Sequence, residues 1–113
     1  MARLRSDFWV AAHLRRLGTE GISAVLRMRG AAEAGAIFVK VDRLDGTADF
    51  YGPAPQAAIA SDDPGDRLFA PILLGTPGLD IEARIAKEIR FDSDLWIIEI
   101  DDRSGRHNLL LVE

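Results

Sequence analysis

Ala36-Ile37-Phe38-Val39-Lys40-Val41-Asp42-Arg43-Leu44-Asp45-Gly46-Thr47-Ala48-Asp49-Phe50-Tyr51 places alternating apolar and polar side chains on either side of an Asp-Gly pair. β-Branched and aromatic residues at every second position suit a half-buried strand, and Asp-Gly favours a two-residue hairpin turn. Counting outward from such a turn predicts that Val41 faces Phe50, Lys40 faces Tyr51 and Asp42 faces Asp49. Ile37, Val39, Val41 and Phe50 then share a core face, and Lys40, Asp42, Asp49 and Tyr51 share the other. Two aspartates directly opposite each other are unfavourable, with Lys40 as the nearest compensation.

The chain leaves this hairpin through Phe50-Tyr51-Gly52-Pro53-Ala54-Pro55-Gln56. Proline fixes φ and removes a hydrogen-bond donor, so the pair ends the strand and holds the tyrosine ring and the glutamine amide in a nearly fixed relation. Tyr51, Pro53, Pro55 and Gln56, with Lys40 across the ladder, form a candidate binding rim, because preformed aromatic and proline surfaces lose little entropy on binding. The competing role is structural, with Pro53 and Pro55 protecting a sheet edge.

Upstream, Ser6 to Leu17 reads as a helix with Ser6 as its cap, Asp7 in its first turn and Gly18 as its stop. Val10, His13, Leu14 and Leu17 form its apolar stripe with Trp9 beside them, and Phe8 lies off it. Ser23 to Arg29 alternates as a strand, with Ala24, Leu26 and Met28 on one side. Downstream, Ala57 to Asp66 is small and acidic, and Ser61-Asp62-Asp63-Pro64-Gly65-Asp66 reads as a loop. Leu68 to Leu74 suits a strand or helical turns, with Pro71 against the centre of either. Asp80 to Arg90 reads as a helix with Ile81, Ile85 and Ile89 buried and an Asp80–Arg84 pair on its surface. Leu95 to Val112 reads as a second hairpin turning at Ser104-Gly105, which sets Ile100 against Leu109, Ile98 against Leu111 and Asp102 against His107. Together these elements predict one α+β domain over residues 1–113, a mostly antiparallel sheet of about five strands with two helices packed on it.

The 113 residues are 48% apolar and 28% charged, the balance of a soluble globular chain and not of a disordered one. No apolar run approaches the roughly 20 residues needed to span a bilayer. The first residues carry no apolar signal-peptide core, so the expected location is cytoplasmic, without membrane association. With no cysteine, disulfides and thiolate chemistry are excluded. The net charge of −4 divides unevenly, with +4 over residues 1–30 and −8 over the rest. The simplest account is a basic first third folding against the acidic remainder, or against a second copy.

Asp102 and His107, with Glu99 and Asp101 on the next face, are the acidic and imidazole groups that the expected register brings together. A carboxylate orienting an imidazole serves general base catalysis, and the same groups can bind a divalent ion. Weighed against this is an ordinary hairpin-end ion pair beside Arg103 and Arg106. His13, on an apolar helix face, reads as an interior histidine. Calcium-loop spacing fails at Asp42, Asp45 and Asp49 and again over Asp62 to Asp66, and neither a phosphate-binding glycine motif nor a serine-hydrolase elbow occurs. No metal and no cofactor is therefore expected.

Three stretches carry a resemblance: Arg5-Ser6-Asp7-Phe8-Trp9-Val10-Ala11-Ala12 with Arg15-Arg16; Gly35-Ala36-Ile37-Phe38-Val39 running to Tyr51-Gly52-Pro53-Ala54-Pro55-Gln56; and Arg90-Phe91-Asp92-Ser93-Asp94-Leu95-Trp96-Ile97-Ile98-Glu99. In combination they resemble domain of unknown function 1491, a family of small alphaproteobacterial proteins, over nearly the whole chain. Where that family often has proline, this chain has Ser93. The resemblance implies a free-standing cytoplasmic bacterial protein and brings no catalytic residue with it.

The leading functional expectation is thus a non-enzymatic binding or protein-interaction module, homodimeric, with a protein or small-molecule partner. Off-stripe Phe8, the charge asymmetry and the rigid rim motivate it. A small hydrolytic or metal-assisted enzyme using the Asp102 and His107 cluster is one alternative. Anion or nucleic acid binding through Arg5, Arg15, Arg16, Arg27 and Arg29 is the other, disfavoured because no aromatic residues interleave with those arginines to stack on bases.

Overall fold

The computed structural model of the protein describes residues 4–55 and 67–112. Gln56 and the Ala57 to Asp66 stretch, including the expected loop, lie outside the described residues. The described chain forms α1 (Ser6–Thr19), β1 (Ser23–Met28), β2 (Ile37–Asp42), β3 (Thr47–Pro53), β4 (Leu68–Pro77), α2 (Gly78–Phe91), β5 (Trp96–Asp101) and β6 (Leu110–Leu111).

The six strands make one sheet in the order β1-β5-β2-β3-β4-β6. It is α+β as expected, but mixed, and it has one strand more than expected. β1 pairs antiparallel with β5, and β2, β3 and β4 follow one another antiparallel. β2 runs parallel to β5, and β4 runs parallel to β6. β4 and β5 therefore point the same way, a connection that requires a crossover. α2 supplies it, carrying the chain past β3 and β2.

Alternation along the strands divides the core in two. Ile37, Val39, Val41, Tyr51, Trp96, Ile98 and Ile100 pack with Val10 and Leu17 of α1. Phe38, Phe50, Ala48 and Ile97 pack with Ile81 and Ile85 of α2 on the other face. β2 lies inside the sheet and under both helices, so both of its faces are buried from Ile37 to Val41, Lys40 included, where the alternation implied a half-buried strand.

The β2–β3 register differs from expectation by one residue. Arg43 N–H donates to the Thr47 carbonyl at 3.0 Å, so the loop is Leu44-Asp45-Gly46, three residues, with positive φ at Leu44 (61°) and Gly46 (92°). Asp42 accepts from Leu44 N–H at 2.8 Å and Asp45 from Thr47 N–H at 2.9 Å, fixing that shape. Val39 consequently faces Tyr51, Lys40 faces Phe50, Val41 faces Asp49 and Asp42 faces Ala48. A one-residue shift flips a whole strand. Tyr51 turns into the α1-side core, Phe50 turns under α2, and the opposed aspartates do not occur.

The second hairpin does not form. β5 is paired on both edges, by β1 and β2, and offers no edge to the segment after it. Gly105 does turn the chain, with φ 77° and its N–H on the Asp102 carbonyl. The segment then crosses to β4, where Leu110 and Leu111 pair with Leu68 and Phe69. The ambiguous stretch from Leu68 is thus a strand. With β6 pairing no further than Phe69, that edge of β4 has no strand partner among the described residues from Pro71 onward, a place where proline is tolerated.

Local details also shift. α1 is capped by backbone: Ser6 N–H donates to Glu33 O and Asp7 N–H to Ala32 O. Ser6 Oγ instead donates to Gly35 O at 2.7 Å and accepts from Arg67 at 3.0 Å. The helix runs past Gly18 and stops at Gly21 (φ 73°), where Ile22 N–H bonds Leu17 O and Gly21 N–H bonds Gly18 O, the glycine-terminated helix end that a left-handed residue permits. A bulge between Leu26 and Met28 moves Met28 to the α2 side, away from Ala24 and Leu26. In α2, Arg84 pairs with Glu88 at 2.8 Å in place of Asp80.

Candidate functional site

The residues singled out from sequence fall into three separate places. Around Asp102, the carboxylate accepts the Arg106 N–H at 2.8 Å and its guanidinium at 2.8 Å, closing its own loop. Arg106 holds the Asp102 carboxyl below the usual range. Asp102 does not reach His107, because the ladder that would have opposed them is absent.

His107 lies against Tyr51, ring centres 4.8 Å apart. Its Nδ1 accepts the Leu109 N–H at 2.9 Å, so the ring is neutral with its proton on Nε2. Burial lowers its pKa, and the carboxylate that opposes this is Asp49. Asp49, buried, accepts Gly75 N–H at 2.8 Å and Arg43 Nη1 at 3.1 Å. Burial first, then Asp49, pushes the Tyr51 hydroxyl up. The His107 carbonyl in turn accepts Nε2–H of His13 at 2.9 Å. His13 is fully buried and stacked on Trp9 at 4.6 Å. Its Nδ1 has no hydrogen-bond partner among the described residues, and desolvation lowers its pKa to about 4. Neither imidazole offers an accessible lone pair: one is taken by Leu109 and the other is sealed in the core. A general base needs such a lone pair within reach of substrate.

Glu99 and Asp101 sit on the opposite, α2-side face. Parallel pairing sets Lys40 beside Glu99 and Asp42 beside Asp101. Carboxylate oxygens of Asp42, Glu99 and Asp101 lie within 4.8 Å of one another, and exposed acids in such groups are common without an ion. Next to them Lys40 donates to Glu82 at 2.8 Å, and Arg27 bridges Glu82 to Glu99, the latter at 3.0 Å. Arg27 first, with Lys40, holds the Glu82 carboxyl at about 2.

The rim is divided by the register. Tyr51 is buried on the α1 side and Lys40 on the α2 side, Pro53 and Pro55 are exposed, and Gln56 lies outside the described residues. Pro53 lines a void of about 10 Å³ with Ile37, Arg67, Leu68 and Phe69, room for one water at most. An open cleft of about 270 Å³ lies between Leu4, Glu33, Ala34 and Arg67.

Of the arginines named for anion binding, Arg5 pairs with Asp7 and Arg27 with Glu82 and Glu99, while Arg29 lies over the Trp96 ring at 5.2 Å. Arg15 and Arg16 are exposed. Not among the sites expected from the residues were Asp49 with Arg43, the joining of Asp42 to Glu99, and the outward side of α2. There Leu79, Ala83 and Ala86 recur at helical spacing opposite Ile81 and Ile85, a signal that was present in the residues.

The stretches that carried the resemblance are tied to one another. Trp96 N–H donates to Ala36 O at 2.8 Å, its Nε1 to Ala31 O in the loop just before Gly35 at 2.8 Å, and Ser6 binds Gly35 as described. A Cβ at Gly35 would lie 2.6 Å from Asp94 O and 2.8 Å from Trp96 Nε1, so this loop closes only on glycine.

Comparison with known proteins agrees with that pattern. A solution structure of protein Atu0922 from A. tumefaciens is 41% identical, covers 98% of this chain and 96% of its own, and superposes with a TM-score of 0.82. The crystal structure of a DUF1491 family protein from Caulobacter crescentus CB15 is 34% identical, covers 97% of this chain and 98% of its own, with a TM-score of 0.77. No curated protein matches the chain. The sequence model of the family described as "Protein of unknown function (DUF1491)" matches residues 4–110, and the chain belongs to this family.

Proposed function

We propose that this protein acts by binding and not by catalysis, as a single-domain cytoplasmic interaction module that associates with a second copy of itself. The observation that carries the reading is on α2, where Leu79 is 84% and Phe91 90% exposed. The same helix buries Ile81 and Ile85, so it is anchored on one side and apolar at both ends of the other. Large apolar side chains held outward on a fixed element support a reading in which a second surface covers them. The state of the polar groups supports the reading from the other direction. Asp102 is committed to Arg106, Asp49 to Arg43, and Glu82 to Arg27 and Lys40.

Sedimentation velocity over a concentration series reaching the millimolar range tests it. The expected result is a weight-average coefficient that rises with concentration toward that of a dimer. A monomer at every concentration removes self-association from the account.

A further inference from the structure

We infer that the self-contact is α2 against α2, two copies pairing antiparallel about a two-fold axis near the middle of the helix. This rests on the self-association reading above and adds where and how the copies meet. Leu79, Ala83, Ala86 and Arg90 recur on the outward side of α2, flanked by Asp80, Lys87 and Phe91, and all are exposed. Antiparallel pairing brings Leu79 of one copy to Phe91 of the other, burying the two apolar side chains of the helix that most need cover. It brings Asp80 to the partner's Arg90, and the reverse contact repeats by symmetry. Small Ala83 and Ala86 fall at the crossing, where short side chains let two helices approach closely.

Charge selects this arrangement over the parallel one. Neither Asp80 nor Arg90 makes a hydrogen bond or ion pair among the described residues, although Arg84, Glu88, Glu82, Arg27 and Lys40 around them all do. A parallel pair would set Asp80 against Asp80 and Arg90 against Arg90, and it would align the two helix dipoles unfavourably. The antiparallel pair opposes unlike charges and unlike helix ends. At about 21 Å of helix per copy, the contact is smaller than the roughly 1,200 to 2,000 Å² of standard stable interfaces, so the dimer is concentration-dependent.

A charge exchange read by sedimentation equilibrium tests the assignment. Asp80→Arg and Arg90→Asp each weaken dimerisation about tenfold, since each removes two symmetric attractions and places like charges together. The double variant D80R/R90D recovers the wild-type constant to within about threefold, because the exchange recreates both pairs. A wild-type dimer indifferent to either single change, or a double variant as weak as the two losses combined, overturns the α2 interface while leaving self-association standing. A wild-type monomer throughout overturns both. Asp80 and Arg90 are exposed and unpaired among the described residues, so these variants keep the fold.

Discussion

The buried imidazole of His13 donates from Nε2 to the main-chain carbonyl of His107 at 2.9 Å, tying the first helix to the chain's last segment. Its other nitrogen is buried and has no hydrogen-bond partner among the described residues. Folding lowers its pKa from 6.5 to about 4, chiefly by desolvation. The unfolded chain therefore binds the proton more readily between these values. Stability from His13 is full above pH 6.5 and is lost as the pH falls through about 4, a change on the order of 3 kcal/mol. The lowered pKa of His107 acts in the same direction. In His13→Gln, whose amide can still donate to that carbonyl, urea midpoints at pH 7.5 and pH 4.5 should lie closer together than in the wild type. Parallel pH curves for the two proteins would contradict the buried, neutral state of this ring.

Lys40 is 7% exposed and relies on Glu82 at 2.8 Å, with Glu99 at 3.9 Å as a second partner. Removing one member of a buried pair costs more than removing both, because the survivor is left charged and desolvated. Glu82 is 40% exposed and Glu99 remains, so Glu82→Gln is expected to cost only about 1 to 2 kcal/mol. The double variant with Lys40→Met should recover most of that loss in urea unfolding. Simple additivity of the two changes would refute the coupling.

Two glycines predict opposite signs for the same substitution. At Gly35 a methyl group would lie 2.6 Å from Asp94 O and 2.8 Å from Ala31 O, both backbone atoms that cannot move aside cheaply. Gly35→Ala should destabilise by about 1 to 3 kcal/mol. Gly18 lies within α1 with nothing within 4 Å of its Cβ position, and Gly18→Ala should stabilise by about 0.5 to 1 kcal/mol through helix propensity. Thermal unfolding of the two variants checks both, and a loss at Gly18 would contradict the open surroundings of that site.

The titration of His107 identifies its carboxylate. Asp49 opposes the downward effect of burial on this ring, whereas Asp102 is engaged by Arg106. NMR titration of His107 should show a lower pKa in Asp49→Asn and an unchanged one in Asp102→Asn. The reverse pattern would restore the pairing expected from a β5–β6 hairpin.

Local patterns were legible where one element determines the outcome. The stripe of Val10, His13 and Leu17, the run of Ile81 and Ile85, and the shared core face of Ile37, Val39 and Val41 all place their side chains as the residues imply. The β2–β3 register was not legible, because a leucine at positive φ extends the loop and no propensity anticipates Leu44 in that conformation. That one residue decides whether Tyr51 is a surface or a core side chain. The fate of the final segment was hidden for a non-local reason. Whether β5 has a free edge depends on β1 and β2, far away in sequence, and with both edges taken Asp102 and His107 part company. The same parallel pairing gathers Asp42, Glu99 and Asp101, which no spacing within either strand reveals.

Self-association through α2 is the central claim, and a single cysteine tests it most directly, since the chain has none of its own. In the antiparallel pair, residue 86 of each copy lies beside the two-fold axis, whereas the two copies of residue 79 stand roughly 18 Å apart along the helix. Treatment of Ala86→Cys with a short thiol cross-linker should give a covalent dimer, and Leu79→Cys should not. Monomer alone from Ala86→Cys, or efficient cross-linking of Leu79→Cys to itself, would contradict the account.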